Sequence, residues 1–355
     1  MDYSHELDVV AVRGGRVESC HRVHAAIVAD DDQLIGGARN PEEVTFWRSC
    51  AKPFQIIPFI QAGGLDELGW GSDELAVACG SHGGEPEHVA IVERMLSDVG
   101  REEGDLACGP HEPLSPRGAK LVRECGKTLT RLHNNCSGKH AAMLARAEIT
   151  GWPTHSYDRL EHPVQQAILA YMSRWTDLAP PEMLLAVDGC GVVVFGGPIE
   201  RMARAYARLG TAARSGEEIP QLIVSAMIEH PFLVGGTDRF DSVLMEETAG
   251  AVLSKTGAEG VHSLAIPELG VGVTIKVEDG AQRALYPPLL RILQNLQVLP
   301  TTLPPCLSDY MHKPLKNSRG EKVGQVMLAA DFSEIGVRGL APGSLAGATR
   351  ANGAR

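Results

Sequence analysis

A mixed α+β fold, largely antiparallel and filled out by helices, is predicted by three features of this sequence. Short β-branched runs and longer helix-forming stretches share the chain without strict βαβ alternation. No internal repeat interrupts it, and no linker is long enough to part independent domains. Its 355 residues, 44% of them hydrophobic, suffice for one large core or two closely packed lobes. The expected division is one domain over residues 1–334 and an Ala- and Gly-rich mobile tail over 335–355.

The elements follow in order. Val9 to Val12 and Ala25 to Ala29 are apolar runs, each ending in turn residues, and residues 7–37 read as a hairpin. Pro53 disfavours the α conformation in the residue before it, so Ser49 to Lys52 are expected in an irregular or 3₁₀ turn. A regular helix starts at about Pro53 and stops at Gly63-Gly64. Ser72 to Cys79 and Glu85 to Leu96 read as helices, the second with Pro86 in its first turn. Gly138 to Glu148, rich in Ala and Met, predicts a buried central helix. Met183 to Val187 and Val192 to Phe195 are strand-like, with close backbone packing over Gly191 to Gly197. Pro198 then opens a helix through Leu209. Ala249 to Leu253 reads as a strand that ends at Ser254-Lys255-Thr256-Gly257. Val261 to Leu264 and Val271 to Val277 complete the strands, and Glu278-Asp279-Gly280 is a hairpin signal.

Charge and cysteines narrow the function classes. Lys and Arg total 33 against 44 Asp and Glu, a net charge of -11 that repels phosphate backbones and argues against a nucleic-acid partner. No apolar run is long enough to span a bilayer, so no membrane partner is expected. The opening Met1-Asp2-Tyr3-Ser4-His5-Glu6 has neither basic nor apolar signal character, and cytoplasmic residence is the expectation. The 8 cysteines lack regular spacing, as expected for free, packed thiols in a reducing compartment.

Five segments concentrate chemistry. In Arg48-Ser49-Cys50-Ala51-Lys52 a serine stands three residues ahead of a lysine, on one face of a helical turn. A lysine activates such a hydroxyl only when burial or another cation lowers its pKa. Lys255-Thr256-Gly257 is the companion half of the signature of serine acyl-transferases of the β-lactamase and penicillin-binding type. In Cys79-Gly80-Ser81-His82-Gly83-Gly84-Glu85-Pro86, a serine among glycines before a helix suits a second hydroxyl or an oxyanion hole, and equally a helix cap. Asn134-Asn135-Cys136-Ser137-Gly138-Lys139-His140 and Asp188-Gly189-Cys190-Gly191 bring thiols beside Lys139, Asp188 and His140. Two soft thiolates and a nitrogen suit zinc, while the plainer reading is a pair of buried structural thiols.

These segments also stand in order with Arg13-Gly14-Gly15-Arg16-Val17-Glu18-Ser19, His162-Pro163-Val164-Gln165 and Gly235-Gly236-Thr237-Asp238-Arg239-Phe240. Together they closely resemble the rhizobial-type L-asparaginases, a family also called type II or class 3, over roughly residues 13 to 325. The resemblance implies a serine β-lactamase/glutaminase-like fold, a homodimer, and hydrolysis of L-asparagine to L-aspartate and ammonia. It implies catalytic pairs Ser49 with Lys52 and Ser81 with Lys255; Lys276 lies near enough in sequence to compete with Lys255, which its Lys-Thr-Gly context favours. It implies a zinc on Cys136, Lys139 and Cys190, with Asp188 and His140 adjacent. A further cysteine of the rhizobial enzymes, after the Gly-Thr-Asp-Arg segment, has no counterpart in Phe240-Asp241-Ser242 or Thr248-Ala249-Gly250.

On this reading Lys52, kept neutral by burial and by the Lys255 charge, takes the proton of Ser49, which attacks the amide carbon and forms an acyl-enzyme. Arg48, Asp188 and His140 are the expected substrate contacts. The rival readings are a glutaminase or other serine amidase, a β-lactam-reactive protein, and a non-enzymatic zinc or amino-acid sensor.

Overall fold

The computed structural model describes residues 5–124, 126 and 128–332; the tail expected over 335–355 lies outside them. The chain opens with β1 (Val9–Arg13), β2 (Arg16–His21), β3 (Val23–Ala29), β4 (Leu34–Ala38) and β5 (Val44–Phe46). Helices α1 (Lys52–Gln61), α2 (Gly64–Leu68), α3 (Ser72–Cys79), α4 (Pro86–Asp98), α5 (Pro116–Glu124), α6 (Ser137–Ile149) and α7 (Pro163–Thr176) follow. Next come β6 (Leu184–Val187), β7 (Val193–Pro198), α8 (Ile199–Arg214), α9 (Glu218–Glu229), α10 (Pro231–Val234) and α11 (Phe240–Glu247). Strands β8 (Leu253–Gly257), β9 (Val261–Ile266) and β10 (Val271–Val277), helices α12 (Tyr286–Asn295) and α13 (Pro305–Met311), and strands β11 (Lys313–Lys316) and β12 (Lys322–Leu328) complete the order.

The expected mixed α+β class holds. The strands form three sheets, ordered β11-β12-β1-β2, β4-β3-β10-β9-β8 and β5-β7-β6, and every pairing among the described residues is antiparallel. The five-stranded sheet is covered on both faces. Along β3, Ala26 and Val28 join the core shared with the helices, while Val23 and Ala25 join the core on the opposite face. That two-sided burial explains why β3 and β10 read as continuous apolar runs rather than alternating ones. Helix α8 lies directly on β10, where a Cβ at Gly272 would come 1.9 Å from the Ala203 carbonyl oxygen.

Three expectations change. Residues 7–37 form two hairpins rather than one, β1–β2 and β3–β4, each in its own sheet. The strand assigned to Ala249–Leu253 begins only at Leu253, because Ala249 and Gly250 take positive φ (48° and 78°) and break the extended run. Glu278-Asp279-Gly280 closes no hairpin: Glu278 N–H donates to the Arg22 carbonyl (2.9 Å) and the chain leaves the sheet toward α12. The β9–β10 hairpin is closed earlier, by the 3₁₀ turn Pro267–Leu269.

Candidate active site

The turn carrying Ser49 is a 3₁₀ segment, Arg48–Ala51, leading into α1, as Pro53 requires. Arg48 sits at φ 50°, a left-handed conformation costly for a side chain with a Cβ and concentrated at functional sites. The turn is fixed against the sheets on both sides. Trp47 N–H donates to the Phe195 carbonyl (2.8 Å), and the Cys50 thiol donates to the Lys255 carbonyl (3.1 Å). Gly257 permits that approach, since a Cβ there would lie 3.1 Å from the Trp47 oxygen and 3.2 Å from the Cys50 sulfur. Strand β8 thereby brings Lys255 to the start of α1. A cavity of about 460 Å³ opens at this junction, lined by Arg48, Ser49, Ser81, Asp188, Cys190 and Arg239 among others. Its size falls in the range of roughly 300–1,000 Å³ usual for small-molecule sites.

Ser81 follows α3 and is only 4% exposed. Its Oγ lies 3.1 Å from Lys52 Nζ and 2.8 Å from Lys255 Nζ, so both lysines converge on one hydroxyl. Lys52 Nζ also donates to the carbonyls of Gly80 (2.5 Å) and Asn135 (2.9 Å), and Lys255 Nζ to that of Thr256 (2.8 Å). Both amines are buried, at 1% and 0% exposure. Burial penalises the ammonium form and lowers both pKa values, Lys255 to about 8. For Lys52 the neighbouring cation that adds to this is Lys139, not the Lys255 named in the sequence reading.

The expected Ser81–Lys255 pair is therefore brought together, and the expected Ser49–Lys52 pair is not. Among the described residues no hydrogen bond joins Ser49 to Lys52; the lysine turns toward the two carbonyls that satisfy its buried N–H groups, and these flank Ser81. Ser49 remains half-buried in the wall of the same cavity. Lys276, the competitor of Lys255, spends its amine on the carbonyls of Glu259 (2.7 Å) and Val277 (2.6 Å).

Arg48 Nε donates to Asp188 Oδ1 (2.8 Å), so one expected substrate contact is tied to another. Burial pushes the Asp188 carboxyl up, but the charges of Lys139 and Arg48 outweigh it and hold the group below the usual carboxylate range. His140 is fully buried and bonds Tyr157 Oη through Nδ1 (2.7 Å). It does not line the cavity, so the expectation that it touches substrate is corrected. Its place on α6, one residue beyond Lys139, turns it into the helix packing.

The thiols do converge. Lys139 Nζ donates to Cys190 Sγ (3.2 Å), and the Cys136 thiol is hydrogen-bonded to Cys190. That bond, with the Lys139 charge, draws the Cys190 pKa down to about 5, while Cys136 is pushed up to about 12. Among the described residues no three His, Cys, Asp or Glu side chains gather as a metal cluster. The set at hand is two soft sulfurs and one amine, which fits zinc once Lys139, its pKa lowered by burial but raised overall by Cys190 and Cys136, gives up its proton.

Two features escaped the sequence reading. Asp241, 3% exposed, accepts from Ser254 Oγ (2.8 Å), Thr256 N (3.0 Å) and Thr256 Oγ1 (3.0 Å) and stands 3.4 Å from His262, gripping β8 on both sides of Lys255. It lies in one of the two stretches, 240–242 and 248–250, that lack the cysteine expected from the resemblance. Arg239, three residues beyond Gly236 in the Gly235-to-Phe240 motif, is the second, and it lines the cavity. A Ser72–His230–Asp73 cluster lies elsewhere, but Ser72 (2.7 Å) and Asp73 (3.4 Å) both approach the same imidazole nitrogen, Nε2. A hydrolytic triad needs them on opposite nitrogens.

A family model described as L-asparaginase II matches residues 9–328. No curated protein sequence matches the chain. Among solved structures, Mglu in its glutamate form is similar at 14% identity and a TM-score of 0.43, the match covering 78% of this chain and 61% of that one. A β-lactamase from Mycobacterium bovis is similar at 11% identity and a TM-score of 0.39, covering 78% of this chain and 95% of that one. The chain thus spans less than two thirds of the length of Mglu.

Proposed function

The chain belongs to the L-asparaginase II family, and from that premise we propose that it hydrolyses the side-chain amide of L-asparagine to L-aspartate and ammonia through a serine ester. One observation carries the reading: Ser81, in the cavity wall, lies within hydrogen-bond distance of two buried lysines.

A neutral amine has two N–H groups and one lone pair. The carbonyls of Gly80 and Asn135 take the two N–H groups of Lys52, leaving its lone pair facing Ser81 Oγ. Lys255, as a cation, donates to the same oxygen. Ser49 and Ser81 line the same cavity, and once bound substrate brings their hydroxyls together Ser81 gives its proton to Lys52 while taking that of Ser49 on its remaining lone pair. Ser49 Oγ bonds the amide carbon, and the carbonyl electrons move to oxygen, where backbone N–H groups around Ser49 or the 80–84 loop hold the charge. The C–N bond breaks as the proton returns through Ser81 to the departing ammonia. Water cleaves the aspartyl ester by the same relay. Asp188 Oδ2, without a hydrogen bond among the described residues, is free for the substrate ammonium. A second reading makes Ser81 itself the nucleophile, favoured by its direct bond to Lys52.

Cys136, Lys139 and Cys190 would hold the zinc that the family resemblance implies, and two thiolates leave such a metal better suited to orienting substrate than to activating water. A chelator followed by zinc titration tests this: a raised KM restored by zinc is expected, and complete zinc-reversible loss of turnover with unchanged affinity contradicts it. Ammonia release on asparagine and glutamine tests the activity. The reading expects kcat/KM for asparagine to lead by roughly 10- to 200-fold, the worth of one methylene. Equal or reversed preference would make the chain a glutaminase or broader amidase, and no turnover of either would leave a sensor.

A further inference from the structure

We propose that Arg239 is the residue that selects the substrate's α-carboxylate, and so confines the enzyme to free amino-acid amides; this rests on the hydrolase reading above. A zwitterionic substrate needs one cation and one anion beside the nucleophile. Among the described residues the cations near the cavity are largely committed. Arg48 pairs its charge with Asp188 through Nε, and Lys52 and Lys255 both point at Ser81 and at backbone carbonyls. His111 bonds the Glu112 carbonyl (2.7 Å). Arg239 lines the cavity with Ser49, Ser81 and Asp188, is half-buried, and has no side-chain hydrogen bond or ion pair among the described residues. A half-buried guanidinium with no side-chain partner among the described residues is poised for an anion it can bind through two parallel N–H groups.

The segment carrying it is anchored to the Ser81 loop. Glu85, fully buried, accepts from Thr237 N (2.7 Å) and Thr237 Oγ1 (2.8 Å) and pairs with Arg117. On the other side Tyr310 Oη donates to the Asp238 carbonyl (3.0 Å), and Phe240 stacks on Tyr286, itself in the cavity wall, at 4.3 Å between ring centroids. Arg239 is thus held between two fixed residues, close enough for its charge to be felt at Lys255. That placement separates two tasks: the lysines serve the reacting hydroxyls, and Arg239 holds the far end of the substrate. Amides without a neighbouring carboxylate, including asparagine side chains within peptides, would lose this contact.

The test compares wild type, Arg239→Gln and Arg239→Lys. For Arg239→Gln, KM for L-asparagine should rise about 10- to 100-fold, the worth of a charge-assisted hydrogen bond, with kcat nearly unchanged. Arg239→Lys should recover part of that loss. 3-Aminopropanamide keeps the amine and the amide but lacks the carboxylate, and its inhibition constant should be the same in wild type and Arg239→Gln. A fall in kcat with KM unmoved, or equal weakening of both ligands, would overturn the assignment by revealing a structural or catalytic role. If wild type turned over no asparagine, the hydrolase reading would fail. The calorimetric affinity of L-asparagine for wild type and Arg239→Gln would still decide what Arg239 binds.

Discussion

A lysine in water carries its proton to about pH 10.4; Lys52 and Lys255, enclosed at 1% and 0% exposure, give theirs up earlier. The relay needs Lys52 neutral and Lys255 charged, which sets the signs of the pH profile. On the acid side kcat/KM should rise as Lys52 loses its proton, and on the alkaline side it should fall near pH 8, where Lys255 loses its own. The Asp241 carboxylate raises the Lys255 pKa, so Asp241→Asn should lower it and move the falling limb to lower pH. A limb that stays in place, or moves up, contradicts the account. Much at this scale was legible: Ser-x-x-Lys and Lys-Thr-Gly named Ser49, Lys52 and Lys255, and Ser81 stood out among the glycines of residues 79–86 and was paired with Lys255 through the family resemblance. Which hydroxyl each amine faces was not, because it depends on the carbonyls of Gly80 and Asn135, whose positions are tertiary.

Elements place these groups through close contacts that only small residues allow. Strand β8 can lie against the 3₁₀ turn of Ser49 because Gly257 has no Cβ. Gly257→Ala should push β8 from the turn, costing about 1–3 kcal/mol of stability as overpacking does. The shift of Lys255 should lower kcat beyond what the melting temperature alone explains. Normal kcat with only reduced stability would show that the contact is structural and does not position the lysine. Prolines and glycines made the boundaries of α1, α3 and α4 readable, since they act locally: Pro53 and Pro86 stand at helix starts, and Gly63 takes φ 78° after α1. The strand run at Ala249–Leu253 misled because composition alone favoured extension, while two positive φ angles at Ala249 and Gly250 turned the chain. His140 misled differently. Its motif neighbours are functional, but a helix sends adjacent side chains to different faces, and its own met Tyr157.

At the scale of the whole molecule, the five-stranded sheet and the helical core meet where α1, the loop after α3 and β8 converge, and the cavity sits in that seam. The fold class was legible because mixed runs of strands and helices leave few alternatives; the assignment of strands to three sheets was not, since pairing partners such as β1 and β12 are far apart in the chain. Family membership rests on residues 9–328, nearly the entire described chain. No helix among the described residues is long and apolar enough to cross a membrane. The proposed mechanism forms a covalent ester at the open end of a two-serine relay. Peptide mass spectrometry of a rapidly quenched reaction with L-asparagine tests it most directly. An aspartyl adduct on the peptide containing Ser49, absent in Ser49→Ala and depleted in Ser81→Ala, is the predicted result. An adduct on Ser81, or full turnover by Ser49→Ala, would contradict it.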